Sequence, residues 1–132
     1  MYARDNVAGA FEVQQQPVSD AVVDRAVVTF AMLADATRLR LLAGLLDGER
    51  DVTALTAAVG AARPAVSQHL GKLRLAELVA VRREGRRAVY TVAGPHVRRL
   101  VVEALYAAEH QVSDRPAHHA APITDPSIPG PR

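Results

Sequence analysis

The sequence predicts a mainly α-helical fold with one small β-hairpin, and three observations carry that expectation. Apolar residues recur at helical spacing from Asp20 to Leu46, two further helical segments meet at a turn containing Gly60, and after Leu78 the apolar period drops to two. The first helix, "SDAVVDRAVVTFAML", has Asp20 as its cap and sets Val23, Val27, Phe30 and either Ala31 or Leu33 on one face. The second, "DATRLRLLAGLLDGE", places Leu39, Leu42, Leu45 and Leu46 on a stripe and stops at Gly48. Both are expected to be core helices. "VTALTAAVG" then reads as a short helix from Thr53 with Gly60 just past its end, and "RPAVSQHLGKLRLAELV" as a longer one with Pro64 in the first turn, where a missing N–H is tolerated.

The last two helices form a helix-turn-helix pattern, in which Val66, Leu70, Leu73 and Leu78 pack inward. The opposite face holds Arg63, Ser67, Gln68 and Lys72, side chains of the kinds that hydrogen-bond base edges and phosphates. Any exposed helix face is polar, so this motif alone leaves DNA binding and plain solvation both open. The next segment decides between them. "LVAVRRE", Gly85 and "RRAVYTVA" make a hairpin with Val79, Val81, Val89 and either Tyr90 or Val92 as apolar positions, and Arg82, Arg83, Arg86 and Arg87 cluster about its tip. A basic hairpin following a reading helix is a wing, whose arginines reach along the DNA backbone or into a neighbouring minor groove. A solubilising turn is the alternative, and four arginines in six residues beside a helix-turn-helix weigh against it.

Charge is distributed in the same sense. Between Arg63 and Arg99 nine basic residues face only Glu77 and Glu84, so a segment of net +7 sits in a chain of net +2 whose remainder carries −5. A localised basic surface is the footprint of a polyanion partner, because neutralising phosphates releases counterions.

The 132 residues amount to one domain, with a compact part of about 95 residues that a partner subunit would help to stabilise. Residues 1–19, containing "QQQP", read as a flexible N-terminal arm, 20–112 as the folded domain, and 113–132 as a Pro-rich, His-containing tail expected to be disordered without metal. No stretch approaches the roughly 18 uninterrupted apolar residues that would span a bilayer, and "MYARDNVAGAF" lacks the regions of a signal peptide. A cytoplasmic protein without membrane contact is therefore expected. The chain has no cysteine, which excludes disulfides, thiolate metal sites, Cys nucleophiles and thiol redox switches. No nucleophile–base pairing, phosphate loop or enclosed acid–base pair is evident, so an enzyme is not expected.

"FAMLADATRLRLLAGL", "VSQHLGKLRLAELVAVRREGRRAVYTV" and "HVRRLVVEALYAAEH" together resemble the ArsR/SmtB family of winged-helix metalloregulators over roughly Asp20 to Gln111. The resemblance implies a winged helix-turn-helix homodimer joined through its first and last helices, which represses an operon in the apo form and leaves operator DNA when an effector binds. It makes "SQHLGKLR" the recognition helix, so that Ser67, Gln68, His69 and Lys72 inherit contact with double-stranded DNA. His69 has two readings, as a contact to phosphate or base and as a buried histidine that orients the helix. The family's thiolate site needs cysteines where this chain has "DVTALTAAV", which leaves the last helix as the effector site.

His96 and His110 are fourteen residues apart, within about 40° of one helix face but separated by about 21 Å along it. One chain cannot chelate with both. In an antiparallel helix pair, each would stand beside the other's counterpart, giving two equivalent sites, with Glu103 a carboxylate near the two-fold axis and not a ligand. The usual family pattern is broken, since Gly94 and Ala107 stand where ligands are common. Glu109, His110, His118 and His119, with His96, instead resemble the nickel/cobalt-sensing KmtR branch of the family, in which a C-terminal extension adds histidines. Nitrogen and oxygen donors exceeding four suit Ni(II) or Co(II), whereas Zn(II), the alternative effector, prefers four. Taken singly, each of these residues also has a plain reading as surface charge, helix-end complement or chance pair. A winged-helix regulator with no metal input is the competing class.

Overall fold

The computed structural model describes residues 17–114. Among them five helices and three short strands follow in the order α1 (Asp20–Leu33), α2 (Ala36–Gly44), β1 (Arg50–Asp51), α3 (Val52–Val59), α4 (Arg63–Leu75), β2 (Val79–Glu84), β3 (Arg87–Val92) and α5 (Pro95–Asp114). Among these residues no helix is long and apolar enough to cross a membrane.

Short polar side chains start three of the helices by accepting a backbone N–H that has no partner within the helix. Ser19 accepts from Val22, Asp35 from Arg38 and Asp51 from Ala54. Two of these caps differ from the sequence expectation by one or two residues: Ser19 caps α1 in place of Asp20, and Asp51 caps α3 in place of a start at Thr53. Gly60 ends α3 in the left-handed conformation at φ 66°, which a residue without a Cβ adopts freely.

The core is the inward face of the helix-turn-helix. Val66, Leu70 and Leu73 of α4 are fully buried against Leu41, Leu42, Leu45 and Leu55, with Leu78, Val79 and Val101 closing the cluster. Each such side chain contributes about 1.5–3 kcal/mol by leaving water. The inward positions expected in α4 are all buried. α1 behaves differently from expectation, because none of its side chains is buried and Val23, Val27 and Phe30 lie 46%, 60% and 59% exposed. Its apolar stripe is correctly spaced but faces away from this chain's core, which only Met32 and Leu33 touch.

The hairpin pairs β2 with β3 antiparallel from Val79 opposite Val92 to Glu84 opposite Arg87. Gly85 at φ 60° leads the two-residue connection, the Gly-first arrangement of a type II′ turn. Val81 lies opposite Tyr90, and both Tyr90 and Val92 pack on the core. β1 adds to the other edge of β3, with Arg50 opposite Tyr90 and Asp51 opposite Val89, so the sheet has order β1-β3-β2. Two residues, Arg-Asp, show no alternation, and only the tertiary pairing reveals this strand.

α4 ends in a Schellman arrangement, with Leu78 N donating to Leu73 O at 2.9 Å and Glu77 N to Arg74 O at 3.0 Å. The position that normally takes glycine here holds Glu77, at φ 61° the single non-glycine residue with positive φ among the described residues. Arg25 of α1 donates to Ala76 O at 2.7 Å and to Glu77 Oε2 at 3.1 Å, fastening α1 to the end of α4. The left-handed conformation costs a residue with a Cβ about 1–2 kcal/mol, whereas the Arg25–Glu77 ion pair is mostly solvated and weak. Glu77→Gly is therefore expected to raise stability by about 1 kcal/mol in denaturant unfolding. Arg25→Ala should lower it, and a loss of stability with Glu77→Gly would mean that the ion pair outweighs the strain.

Candidate nucleic-acid interface and last-helix histidines

Because α4 buries Val66, Leu70 and Leu73, its helical period turns Arg63, Ser67, Gln68 and Lys72 to solvent, and all four are exposed. Arg63 Nη1 donates to Thr53 Oγ1 at 3.3 Å, tying the starts of α3 and α4. Between this end of α4 and the wing lies a polar cleft of about 310 Å³ lined by Thr53, Arg63, Ser67, Arg83, Arg86 and Arg87 among others. The predicted face and the predicted wing thus share one basic concavity.

The four wing arginines are not equivalent. Arg82 donates from Nε to Glu49 Oε2 at 3.1 Å and from Nη1 to Glu84 Oε2 at 2.9 Å, and Arg87 Nε donates to Asp51 Oδ2 at 3.0 Å. Arg83 and Arg86 have no carboxylate partner among the described residues. The hydrogen bond from Arg82 holds the Glu49 carboxyl below its ordinary range, and the same pairings push the Arg82 guanidinium up. The Asp51 carboxyl is lowered first by the Ala54 N–H that it caps and then by Arg87. Asp51 therefore joins three parts: strand β1, the start of α3 and the wing.

His69 is half-buried, and its Nδ1 lies 3.4 Å from Arg38 Nη1. It faces the start of α2 and not the side that carries Gln68. The backbone N–H of Arg38 lowers the Asp35 carboxyl, with the charges of Arg38 and His69 acting in the same direction.

α5 runs unbroken from Pro95 to Asp114 and leaves His96, Glu103, Glu109 and His110 exposed. Among the described residues no three His, Cys, Asp or Glu side chains come together. His96 Nδ1 is engaged at 3.1 Å by Arg99 Nη2. A ring nitrogen that accepts from a guanidinium is not free to bind a metal, so ligation through Nδ1 requires Arg99 to let go. Beside His96 an apolar groove of about 300 Å³, formed with Val97 and Leu100 of α5 and Ala26, Thr29 and Phe30 of α1, continues the exposed stripe of α1. The donor chemistry suits a nitrogen- and oxygen-ligated metal, and the placement suits a site divided between two chains. His118 and His119 lie outside the described residues.

The sequence reading missed Arg38, Glu49 and Asp51. Arg38 follows the Asp35 cap by three residues, a local signal that was available. Glu49 and Asp51 pair with arginines more than 30 residues away, for which no local pattern exists.

A helix-turn-helix whose reading face and basic hairpin meet in one cleft defines a winged-helix DNA-binding protein. The sequence model for the bacterial regulatory protein, arsR family, matches residues 35–81. The HTH-type transcriptional regulator KmtR of Mycobacterium tuberculosis is 47% identical over 105 residues, covering 80% of this chain and 81% of that protein. NmtR, of the same organism and also an HTH-type transcriptional regulator, is 37% identical over 94 residues, covering 71% and 78%. Among solved structures, the homodimeric winged helix-turn-helix DNA-binding domain Mb0332 of Mycobacterium bovis superimposes with a TM-score of 0.67 at 32% identity, covering 82% of this chain and 99% of that one. The chain belongs to the ArsR family of bacterial transcriptional regulators, and its relatives are regulators, not enzymes.

Arg83→Ala and Arg86→Ala should each weaken DNA binding uniformly across sequences and reduce the slope of log affinity against log salt by about one. Glu49→Gln removes one of the two carboxylates that hold Arg82 and should steepen that slope, and equal slopes for Arg83→Ala and wild type would remove Arg83 from the interface. Asp51 stabilises the fold fully above its unfolded value near 3.8, and that contribution is lost as pH falls through its lower folded value. Asp51→Asn should accordingly flatten the acid limb of stability against pH below about 4 in chemical denaturation.

Proposed function

We propose that this protein is a metal-responsive transcriptional repressor: a homodimer formed through α1 and α5 that holds operator DNA in the apo form and leaves it on binding Ni(II) or Co(II). The observation that carries the proposal is the geometry of α5. His96 and His110 face solvent near one side of a single helix, too far apart to serve one metal within a chain. An antiparallel pairing of two such helices sets His96 of one protomer beside the partner's His110 and makes two equivalent sites. The exposed stripe of α1 and the apolar groove beside His96 support the same face as the contact between protomers.

His96, Glu109 and His110, with His118 and His119 from the tail, are the proposed ligands. More than four nitrogen and oxygen donors favour Ni(II) or Co(II) over Zn(II), in line with the resemblance to the nickel/cobalt-sensing branch. A bound metal supplies bonds between chains that tie the two last helices into one register. Ligation through His96 Nδ1 would require Arg99 to let go. On the DNA side, Arg63, Ser67, Gln68 and Lys72 present donors and acceptors to the major groove while Arg83 and Arg86 engage phosphates, and Arg82 and Arg87 hold the wing in place through Glu49, Glu84 and Asp51. The described helices from Asp20 to Asp114 carry both surfaces, and His118 and His119 lie only a few residues beyond in the chain.

A mobility-shift titration with Ni(II), Co(II) and Zn(II) on duplex DNA from upstream of the gene tests this. Release by Ni(II) or Co(II), lost in His110→Ala and in the His118→Ala/His119→Ala double variant, is expected. DNA binding unchanged across all three metals would favour a regulator without metal input, and release by Zn(II) alone would favour the zinc alternative. Proteins carrying His96→Ala or His110→Ala should each fail alone, yet an equimolar mixture allowed to exchange subunits should regain metal binding at about a quarter of the wild-type sites. No recovery in the mixture would rule out ligation across the two-fold axis.

A further inference from the structure

α1 ends at Leu33, which leaves its last carbonyls without helical partners. Arg38 of α2 supplies donors to two of them: Nε reaches Met32 O at 2.7 Å and Nη2 reaches Ala31 O at 3.3 Å. The remaining arm of the same guanidinium, Nη1, lies 3.4 Å from Nδ1 of His69 on α4. Asp35 steadies this arginine by accepting its backbone N–H at 2.9 Å, with the second carboxylate oxygen 4.0 Å from Nη1. The Arg38 side chain is only 13% exposed, unlike the solvated wing arginines. A guanidinium is a rigid planar fork, so its three arms fix the end of α1, the start of α2 and the middle of α4 at set distances from one another.

We infer that Arg38, acting through His69, is a positioning residue that sets the angle of α4 against α1 and thereby the discrimination of base sequence. The inference rests on the reading of α4 as the DNA-reading helix. Base-edge contacts demand placement to a fraction of an ångström, whereas phosphate contacts through flexible arginines tolerate more. Loosening the Arg38–His69 link therefore costs specificity before it costs general affinity. Two arrangements of His69 are separable by its replacements. Asparagine places its carbonyl oxygen near the position of Nδ1, the atom that faces Arg38; glutamine places a polar group near Nε2, the atom that remains for DNA.

The test measures the affinity of the intact, metal-free protein for duplex DNA from upstream of its gene and for a scrambled duplex of equal length. The ratio of the two is taken across a salt series and accompanied by thermal melting. His69→Ala and Arg38→Lys should each lower the ratio about tenfold with the salt slope unchanged, the double variant should lose no more than either alone, and His69→Asn should keep most of the ratio where His69→Gln does not. A ratio untouched by His69→Ala, retention by His69→Gln instead of His69→Asn, or a salt slope reduced by about one would each overturn the inference, the last two by making His69 a direct DNA contact. Should the Arg38 variant unfold, the three His69 replacements decide the matter alone. Wild-type protein that does not distinguish the duplexes would sink the DNA reading itself, and the positioning role with it.

Discussion

Burial of one face of α4 is the constraint on which the rest of the arrangement depends. Val66, Leu70 and Leu73 occupy the cluster formed by Leu41, Leu42, Leu45 and Leu55, and a helix with that face committed has no freedom over which residues it shows to solvent. Arg63, Ser67, Gln68 and Lys72 are outward because leucines are inward. The sheet follows from the same packing, since Leu78 and Val79 close the core directly after α4 and launch the hairpin from there. Its basic turn reaches the same cleft as the start of α4 because both leave one hydrophobic centre.

The two long helices at either end obey a different rule. α1 and α5 each give the core only a little, Met32 and Leu33 from one and Val97, Val101 and Leu105 from the other, and keep apolar side chains such as Val23, Val27, Phe30 and Val112 in solvent. A 14-residue helix is marginal in water by itself, and the other described residues leave the apolar stripe of α1 uncovered. On the proposed reading a second copy covers it, and the same contact completes the histidine sites. Association and effector binding would then share one surface, which is how an event at α5 reaches two reading heads.

Much of this was legible in the sequence. The inward residues of α4, the turn at Gly60, Pro64 in the first turn and the hairpin about Gly85 follow from periodicity and turn chemistry, which are local. The role of α1 was harder to read. Its spacing identifies a helix with an apolar face, but periodicity cannot say whether that face meets its own core or another chain. β1 escaped notice because two residues carry no pattern, and the cap of α1 shifted because Ser19 and Asp20 are both good capping residues side by side. His69, Arg82 and Arg87 each have a partner 31, 33 and 36 residues away respectively, which only the fold could assign. The spacing of His96 and His110 was legible from helix geometry alone.

The acids threaded among the wing arginines have a kinetic consequence. With Arg82 held by Glu49 and Glu84, and Arg87 by Asp51, fewer positive charges are free to grip phosphates than the count of arginines suggests. Non-specific binding is almost wholly electrostatic, so each occupied guanidinium shortens the time spent on irrelevant DNA. On the proposed reading, a wing with half its arginines already satisfied leaves wrong sites sooner.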